Sequence, residues 1–291
     1  MEIVPIPGFS EPFSSISHFL GCLLTLIGTF YLTRKGRGNS VRQLSLLIFS
    51  FGLIFQFSMS AVYHLLEPGL VPRYVLQVLD HSAIFVLIAG TFTPIHVILF
   101  RGVSRWGVLG TVWSLAITGI VLTSVFFDSI PEWLTLCFYI GLGWIGLITF
   151  LKLRKTYGGP NNFFIIPGGI FYTLGALLEF TRWPVLVPGI VGPHELFHIF
   201  VILGAYSHWR YIYSFADSPI SAEFIIQVVE NQDGFYAYSE TESVTFQAHS
   251  LEEIKEQVSH WIEEKYHISM RPEKINLKIS KEEYIAPFEG T

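Results

Sequence analysis

The chain has 291 residues, of which 51% are hydrophobic and only 14% are charged, and its mean hydropathy is +0.49. Soluble globular domains carry about 25% charged residues, so this composition excludes an ordinary soluble protein. The two cysteines, Cys22 and Cys137, both lie inside apolar stretches, which argues against a disulfide-stabilised scaffold.

Apolar segments recur along the first 213 residues and are long enough to cross roughly 30 Å of hydrocarbon. We predict seven spans, at about 12–33, 43–66, 75–100, 106–127, 132–151, 163–180 and 193–213. The sixth is short and is interrupted by Pro167, Gly168 and Gly169, which are poor helix formers. The fold class predicted for residues 1–213 is therefore an all-α membrane protein, a seven-transmembrane helix bundle.

A change in charge follows the last predicted span. Residues 1–213 carry a net charge of +4, whereas residues 214–291 carry −9. We predict a small soluble α+β domain over residues 221–291, with a hairpin in 223–240 around Asp233-Gly234, a strand at 243–249, a helix at 251–267 and a strand at 275–280. The negative charge argues against a nucleic-acid partner, and a regulatory role or contact with a protein partner is expected.

Basic residues are divided unevenly between the two sides of the predicted bundle. The loops after the first, third and fifth spans, with the end of the seventh, carry ten Lys and Arg, whereas the other side carries only Arg73 and Arg182. Basic loops are retained in the cytoplasm. We therefore expect a multi-pass protein of the inner (cytoplasmic) membrane with its N-terminus outside and its C-terminal domain in the cytoplasm. Arg182 is expected to pair with Glu179 near the outer interface.

Polar residues inside the predicted spans fall at one depth. Odd-numbered spans run inward and even-numbered spans run outward, so position in the sequence gives depth at about 1.5 Å per residue. By this measure one slab roughly 10 Å thick, below the outer surface, contains His18, Ser60, His64, Asp80, His194 and His198. Buried polar groups are costly in a membrane, so this layer predicts a functional site.

Spacing within the layer indicates a metal site. Ser60 and His64 are four residues apart and share one face of the second span, and His194 and His198 do the same on the seventh. Three neutral imidazoles leave a fourth position for water, an arrangement typical of catalytic zinc. We predict that Zn²⁺, or another metal that prefers imidazole, is held by His64, His194 and His198. Asp80 and Ser60 are expected beside it.

The other histidines in the spans receive simpler interpretations. A single histidine in a membrane helix usually hydrogen-bonds a neighbouring helix. We expect this of His81 and His18. His96 and His208 lie towards the opposite end of their spans, where we expect positions at the cytoplasmic interface.

Residues 194–198 read HELFH and so match the H-E-x-x-H pattern of zinc proteases. Intramembrane metalloproteases need a further carboxylate ligand from a later span, and the next acidic residue here is Asp217, beyond the membrane. We therefore favour His64 as the third ligand. Glu195 is interpreted as an accessory or interface residue, because Asp80 already offers a carboxylate at the depth of the metal.

Three blocks of sequence carry a resemblance to a known family. SAVYH (60–64), LDHSAIFVLIAGTFTP (79–94) and HELFHIFVILGAYSHW (194–209) resemble the signature blocks of the hemolysin III family, the bacterial branch of the progestin and adipoQ receptor (PAQR) proteins. The chain is similar, more distantly, to alkaline ceramidases. The resemblance implies a seven-helix bundle in which the same three histidines hold zinc, beside the same serine and aspartate, at a lipid-sized cavity.

The function that this resemblance implies is a zinc-dependent membrane hydrolase acting on a lipid amide, such as a ceramide-like lipid. Zinc would activate a water molecule and polarise the lipid carbonyl. Asp80 would accept the proton of the water, and Ser60 would hold the water or the oxyanion. Two alternatives remain open: a zinc-containing receptor that binds a ligand without turnover, and a haemolysin-type protein that permeabilises membranes.

Overall fold

A computed structural model of the protein describes residues 3–157, 165–218, 223–239, 244–266, 271–272 and 274–281. Within these residues the chain forms two compact units. The first unit contains long apolar helices, and the second contains a four-stranded sheet with one further helix. The change from helices to sheet falls between Ser214, the last residue of the final long helix, and Glu223, the first residue of the first strand.

Seven α-helices occur in the described part of the first unit: α1 (Pro12–Lys35), α2 (Ser40–Leu65), α3 (Val71–Leu99), α4 (Val103–Val125), α5 (Glu132–Tyr157), α6 (Ile165–Thr181) and α7 (Pro193–Ser214). The helices α1 to α5 are long and apolar enough to cross a membrane. The helix α6 has only 17 residues, and the predicted start of its span, residue 163, lies outside the described residues. A mainly helical membrane fold is thus confirmed with five candidate spans, and the sixth and seventh crossings stay predictions.

The outer surface of the first unit is apolar. On α1, the side chains of Leu20, Leu24 and Ile27 follow one another at helical spacing and are 52%, 63% and 57% exposed. Such a stripe is stable only when hydrocarbon, rather than water, covers it. The helix α3 is by contrast the most enclosed of the candidate spans, and its buried residues include Ala83 and Ala89, which are fully inaccessible. The cavity described below runs along this helix.

Close contact between α3 and α4 depends on Gly119. A methyl group at this position would lie 2.3 Å from Cε1 of Phe85, a ring that is 1% exposed. Small residues let membrane helices approach each other closely, and here the glycine provides the space for an aromatic ring.

We expect Gly119→Ala to lower the free energy of unfolding by about 1–3 kcal/mol, because the Phe85 ring has to move within a packed interface. The measurement is thermal unfolding of the purified protein in detergent. Gly110→Ala is the matched control: Gly110 lies on the same helix, and a methyl group there would meet nothing within 4 Å. Equal melting temperatures for the two variants would contradict this account of the interface.

The second unit contains one sheet, with strands β1 (Glu223–Asn231), β2 (Gly234–Tyr238), β3 (Thr245–Ala248) and β4 (Lys274–Lys281) in the order β3-β2-β1-β4. The strand β1 pairs antiparallel with β2 and parallel with β4, and β2 pairs antiparallel with β3. The helix α8 (Leu251–Lys265) lies between β3 and β4 in the chain. This order gives β4 the crossover connection that a parallel partner of β1 needs.

Local sequence explains the turns of the second unit. Gly234, with a φ of 130°, follows Asp233 in the hairpin between β1 and β2. Ser250 caps α8, because its hydroxyl oxygen accepts a hydrogen bond of 3.2 Å from the backbone N–H of Glu253. The apolar face of α8 is buried against the sheet through Ile254, Val258 and Ile262. The predicted end positions 240, 243 and 267 lie outside the described residues.

Candidate metal centre

Three histidines that are distant in sequence meet at one end of the first unit. His64 lies in the last turn of α2, and His194 and His198 lie in the first two turns of α7. Nε2 of His194 is 3.2 Å from Nε2 of His64 and 3.1 Å from Nε2 of His198. One donor atom from each residue lies within 4.8 Å of the others, and this group can hold a metal ion.

The donor set fits an imidazole-preferring metal. Ligands at about 2.0–2.1 Å around a tetrahedral ion lie about 3.3 Å apart, close to the Nε2–Nε2 distances observed here. His64 and His198 are each 1% exposed, so their rings are shielded from solvent by the bundle. Three nitrogen donors from two helices leave a fourth tetrahedral position for another ligand.

The start of α7 is held by a capping arrangement that uses the glutamate of HELFH. One carboxylate oxygen of Glu195 accepts a hydrogen bond of 2.9 Å from the backbone N–H of Gly192, and the other accepts one of 3.1 Å from the hydroxyl of Ser14 on α1. The side chain of Glu195 is 2% exposed. Both oxygens therefore take part in the capping of α7 and in the contact between α1 and α7, which agrees with an accessory role for Glu195.

A carboxylate lies behind the ring of His64. Glu11, the residue before α1, contacts Nδ1 of His64 through Oε2, while Nη2 of Arg73 donates to its Oε1 at 2.5 Å. Burial raises the pKa of the Glu11 carboxyl group, but its hydrogen bonds with His64 and Arg73 and the charge of Arg73 outweigh it and lower that pKa to about 2. Glu11 is thus an anion whose two oxygens point to a histidine and an arginine.

A second carboxylate lies behind the ring of His194. Oε2 of Glu179 is 3.3 Å from Nδ1 of His194, an ion-pair distance without the alignment of a hydrogen bond. Arg182 contacts the other oxygen of Glu179 and also donates to Glu132 at 2.7 Å. The expected pair of Glu179 with Arg182 is found, and the structure adds His194 to it.

The ring of His198 is held in a different way. It stacks on the ring of His18 with 3.7 Å between centroids and 20° between planes. His18 is 1% exposed, and neither of its ring nitrogens has a hydrogen-bond partner within the described residues. The expectation that His18 hydrogen-bonds a neighbouring helix is therefore wrong for this arrangement. Its two free nitrogens are available to a ligand or to water.

Asp80 and Ser60 line a cavity together with His194 and His18. Asp80 is 9% exposed, and its Oδ1 accepts a hydrogen bond of 2.8 Å from the side-chain amide of Gln56. Ser60 is 1% exposed. The structure thus brings both residues to a cavity that His194, one of the three clustered histidines, also lines.

The cavity extends from this polar end along the inside of the bundle. Its volume is about 440 Å³, within the range of roughly 300–1,000 Å³ that is common for ligand sites. Along α3 its walls run from Asp80 to Ile95, which at 1.5 Å per residue is about 22 Å. Most of the wall beyond Asp80 is apolar, with contributions from α3, α5 and α6. A long chain with one polar end matches this shape.

Two of three further histidines, His96 and His81, differ from the expectations for them. His96 is 2% exposed and hydrogen-bonds the carbonyl of Ser104 at 2.7 Å and the hydroxyl of Thr149 at 3.0 Å, so it is a core residue rather than an interfacial one. Nδ1 of His81 donates to the carbonyl of Gln77, four residues earlier in the same helix. His208 lines the far end of the cavity.

Comparison with known proteins agrees with this architecture. A sequence model described as Haemolysin-III related matches residues 9–209. The chain belongs to the haemolysin III family. The match includes all three histidines of the cluster as well as Glu11, and it ends before β1, the first strand of the sheet.

Individual relatives of this haemolysin III family member include bacterial and eukaryotic proteins. It is 31% identical over 196 residues to Hemolysin-3 of Bacillus cereus, covering 66% of this chain and 85% of the relative. It is 30% identical to a Hemolysin-3 homolog of Bacillus subtilis, covering 66% and 87%. It is also 27% identical to Progestin and adipoQ receptor-like protein 1 of Caenorhabditis elegans, covering 70% of this chain and 54% of the relative.

Proposed function

We propose that the protein is a zinc-dependent membrane hydrolase that acts on a lipid amide or a related lipid. The observation that carries the proposal is the position of the three-histidine cluster: His194 lines the polar end of a long apolar cavity, together with the carboxylate of Asp80. Apolar walls suit a lipid chain, and a metal site at one end suits a headgroup linkage.

The proposed ligands of the metal are His64, His194 and His198, all on α2 and α7. Zinc bound there supplies a Lewis acid that activates water and polarises a carbonyl group. Each histidine acts as a neutral donor, and the enclosure of two of the rings keeps bulk water away from the site.

The proposed catalytic residues are Asp80 and Ser60. Asp80 accepts a proton from the attacking water as the carbon–oxygen bond forms, and returns it to the amine as the carbon–nitrogen bond breaks. Its hydrogen bond from Gln56 holds one oxygen and leaves the other for this role. Ser60 helps to hold the water or the developing oxyanion.

The proposed location is the inner membrane, with the N-terminus outside and the second unit in the cytoplasm. Support comes from the ten basic residues on the predicted cytoplasmic side, against two on the other. The second unit, with its net charge of −9 over residues 214–291, is proposed as a surface for a protein partner.

A receptor that binds a lipid without turnover is the second candidate. The worm relative is named as a progestin and adipoQ receptor-like protein. Both candidates need the same histidines and the same cavity, so loss of metal binding does not distinguish between them. Turnover of a lipid does, because only the hydrolase is expected to show it. A membrane-permeabilising protein is the third candidate, and it predicts leakage of dye from vesicles that contain the purified protein.

We expect the purified, zinc-loaded protein to cleave at least one lipid from a panel of ceramide-like amides and matched esters. Removal of the metal with a chelator should abolish cleavage, and added Zn²⁺ should restore it, because the metal is the proposed Lewis acid that activates water and polarises the carbonyl. Released fatty acid and amine are measured by mass spectrometry.

The matched control is the same chelated sample given Mg²⁺, which prefers oxygen ligands over imidazole and should not restore activity. Zinc binding without cleavage of any lipid in the panel would leave the receptor candidate. A protein that binds no metal would remove both candidates that depend on zinc.

A further inference from the structure

The three histidines of the cluster present the same atom, Nε2, towards one another. An imidazole has two nitrogens, and a neutral ring can bind a metal only through the one without a proton. A partner that fixes the proton on Nδ1 therefore prepares Nε2 for the metal. Two of the three Nδ1 atoms face a carboxylate: Glu11 lies against Nδ1 of His64, and Glu179 lies near Nδ1 of His194.

Backbone hydrogen bonds hold Glu11 next to Nδ1 of His64. Its backbone N–H donates to the carbonyl of His64 at 3.0 Å, and the N–H of Ser10 donates to the carbonyl of Leu65 at 3.3 Å. These bonds fasten the segment before α1 to the end of α2. The carboxylate contacts Nδ1 of His64 from the side of the ring opposite the cluster.

An arginine holds each carboxylate in place. The guanidinium of Arg73 donates to Glu11, contacts the carbonyl of Leu66 and lies 4.7 Å above the ring of Tyr63. Arg182 bridges Glu179 and Glu132. Each arginine holds its carboxylate in an orientation that faces the histidine.

We propose that Glu11 and Glu179 are positioning residues of the metal centre: Glu11 sets the tautomer and orientation of His64, and the charge of Glu179 orients His194, so that each Nε2 faces the ion. The inference rests on the proposed metal site and adds residues that do not touch the metal. A carboxylate behind a ligand histidine also makes the ring a stronger donor.

The same assignment explains an irregularity in the charge distribution. Arg73 and Arg182 are the two basic residues on the side that is otherwise poor in them. Each one contacts a carboxylate that faces a histidine of the cluster. Their presence at that end follows from the metal centre rather than from membrane orientation.

The two carboxylates differ in strength of contact. The side chain of Arg73 is 10% exposed and that of Arg182 is 59% exposed, so the first pair is the better shielded from water. Glu11 contacts Nδ1 directly, whereas Glu179 lies 3.3 Å away and is poorly aligned. The effect of Glu11 on the metal should therefore be the larger.

The test compares metal affinity of the full-length variants Glu11→Gln, Glu11→Ala and Glu179→Gln, measured by competition with a chromophoric zinc chelator. We expect Glu11→Gln to weaken Zn²⁺ binding by about 10–100-fold, because the amide removes the negative charge behind His64. Glu11→Ala should weaken it at least as much, and Glu179→Gln should weaken it less. The absorption spectrum of bound Co²⁺ provides a second readout of ligand geometry.

The matched control is Glu67→Gln, which removes an exposed carboxylate three residues after His64 and should leave affinity unchanged. The melting temperature of the metal-free variants distinguishes a positioning role from a purely structural one. If the Glu11 variants melt at a lower temperature but bind Zn²⁺ with unchanged affinity, Glu11 only stabilises the fold and the proposal is overturned. If the Glu11 variants do not fold, unchanged affinity in Glu179→Gln would overturn it for that residue. Absence of zinc binding in the unmodified protein would instead contradict the proposed function.

Discussion

Replacing His198 with alanine is expected to abolish stoichiometric metal binding by the purified protein. Loss of a residue behind a metal ligand typically costs about 10–100-fold in affinity, so loss of a ligand itself should cost more than about 100-fold. His198 is buried, and its Nε2 lies 3.1 Å from Nε2 of His194. We therefore expect no solvent-exposed side chain to take its place as a metal ligand. Metal content per chain, measured by mass spectrometry after dialysis, tests this.

His96→Ala is the matched control for the loss of a buried imidazole. His96 is also 2% or less exposed, but it lies near the other end of α3 and bonds Ser104 and Thr149. This variant should lose stability and keep the metal. If His198→Ala retained the metal content of the unmodified protein, the assignment of the cluster would be wrong.

Metal at this site would also join two distant parts of the chain. His64 and His194 are 130 residues apart and lie on different helices. A ligand present at 100 times its dissociation constant stabilises a protein by about 2.7 kcal/mol. Chelation should therefore lower the melting temperature of the unmodified protein, and should have little further effect on His198→Ala.

Much of the site follows from periodicity and depth alone. Residues four apart on a helix share a face, which places Ser60 with His64 and His194 with His198. Because successive spans alternate in direction, the end of α2 and the start of α7 are predicted to lie at the same depth. In the structure the three imidazoles meet at that depth. The same depth argument predicts that Asp80, in the first third of α3, lies near this site, and in the structure it lines the cavity.

The residues that the sequence did not single out act through contacts between distant segments. Glu11 precedes the first helix, where an acidic residue is already explained by the helix dipole, so nothing marks it as a partner of His64. The stacking of His18 on His198 depends on how α1 packs on α7, which periodicity does not specify. The one available signal was the pair of arginines on the side poor in basic residues.

The limits of the fold prediction have a similar cause. Hydropathy identifies α1 to α5 because each is apolar over a long stretch. The helix α7 begins with a histidine, a glutamate and another histidine within its first six residues, and these polar groups lower its hydropathy. The site residues at the start of α7 therefore weaken its membrane signal. The polar residues Ser207, His208 and Arg210 in its second half do so as well.

Asp80→Asn is expected to lower lipid turnover by about 10²–10⁴-fold while metal content and stability stay close to those of the unmodified protein. Asparagine has the shape of aspartate, and its carbonyl oxygen can still accept the 2.8 Å hydrogen bond from Gln56. The substitution removes only the negative charge and the ability to take a proton. Turnover of the cleaved lipid, zinc content and melting temperature are measured on the same preparation.

Asp128→Asn is the control for this substitution, because Asp128 is an exposed carboxylate that bonds the hydroxyl of Tyr74 near the start of α3. It should keep full turnover. If Asp80→Asn kept both zinc and turnover, Asp80 would not be the proton acceptor and the proposed mechanism would fail. If the unmodified protein instead bound lipid and zinc without cleavage, and Asp80→Asn weakened only lipid binding, the same carboxylate would be recognising the headgroup, as the receptor candidate requires.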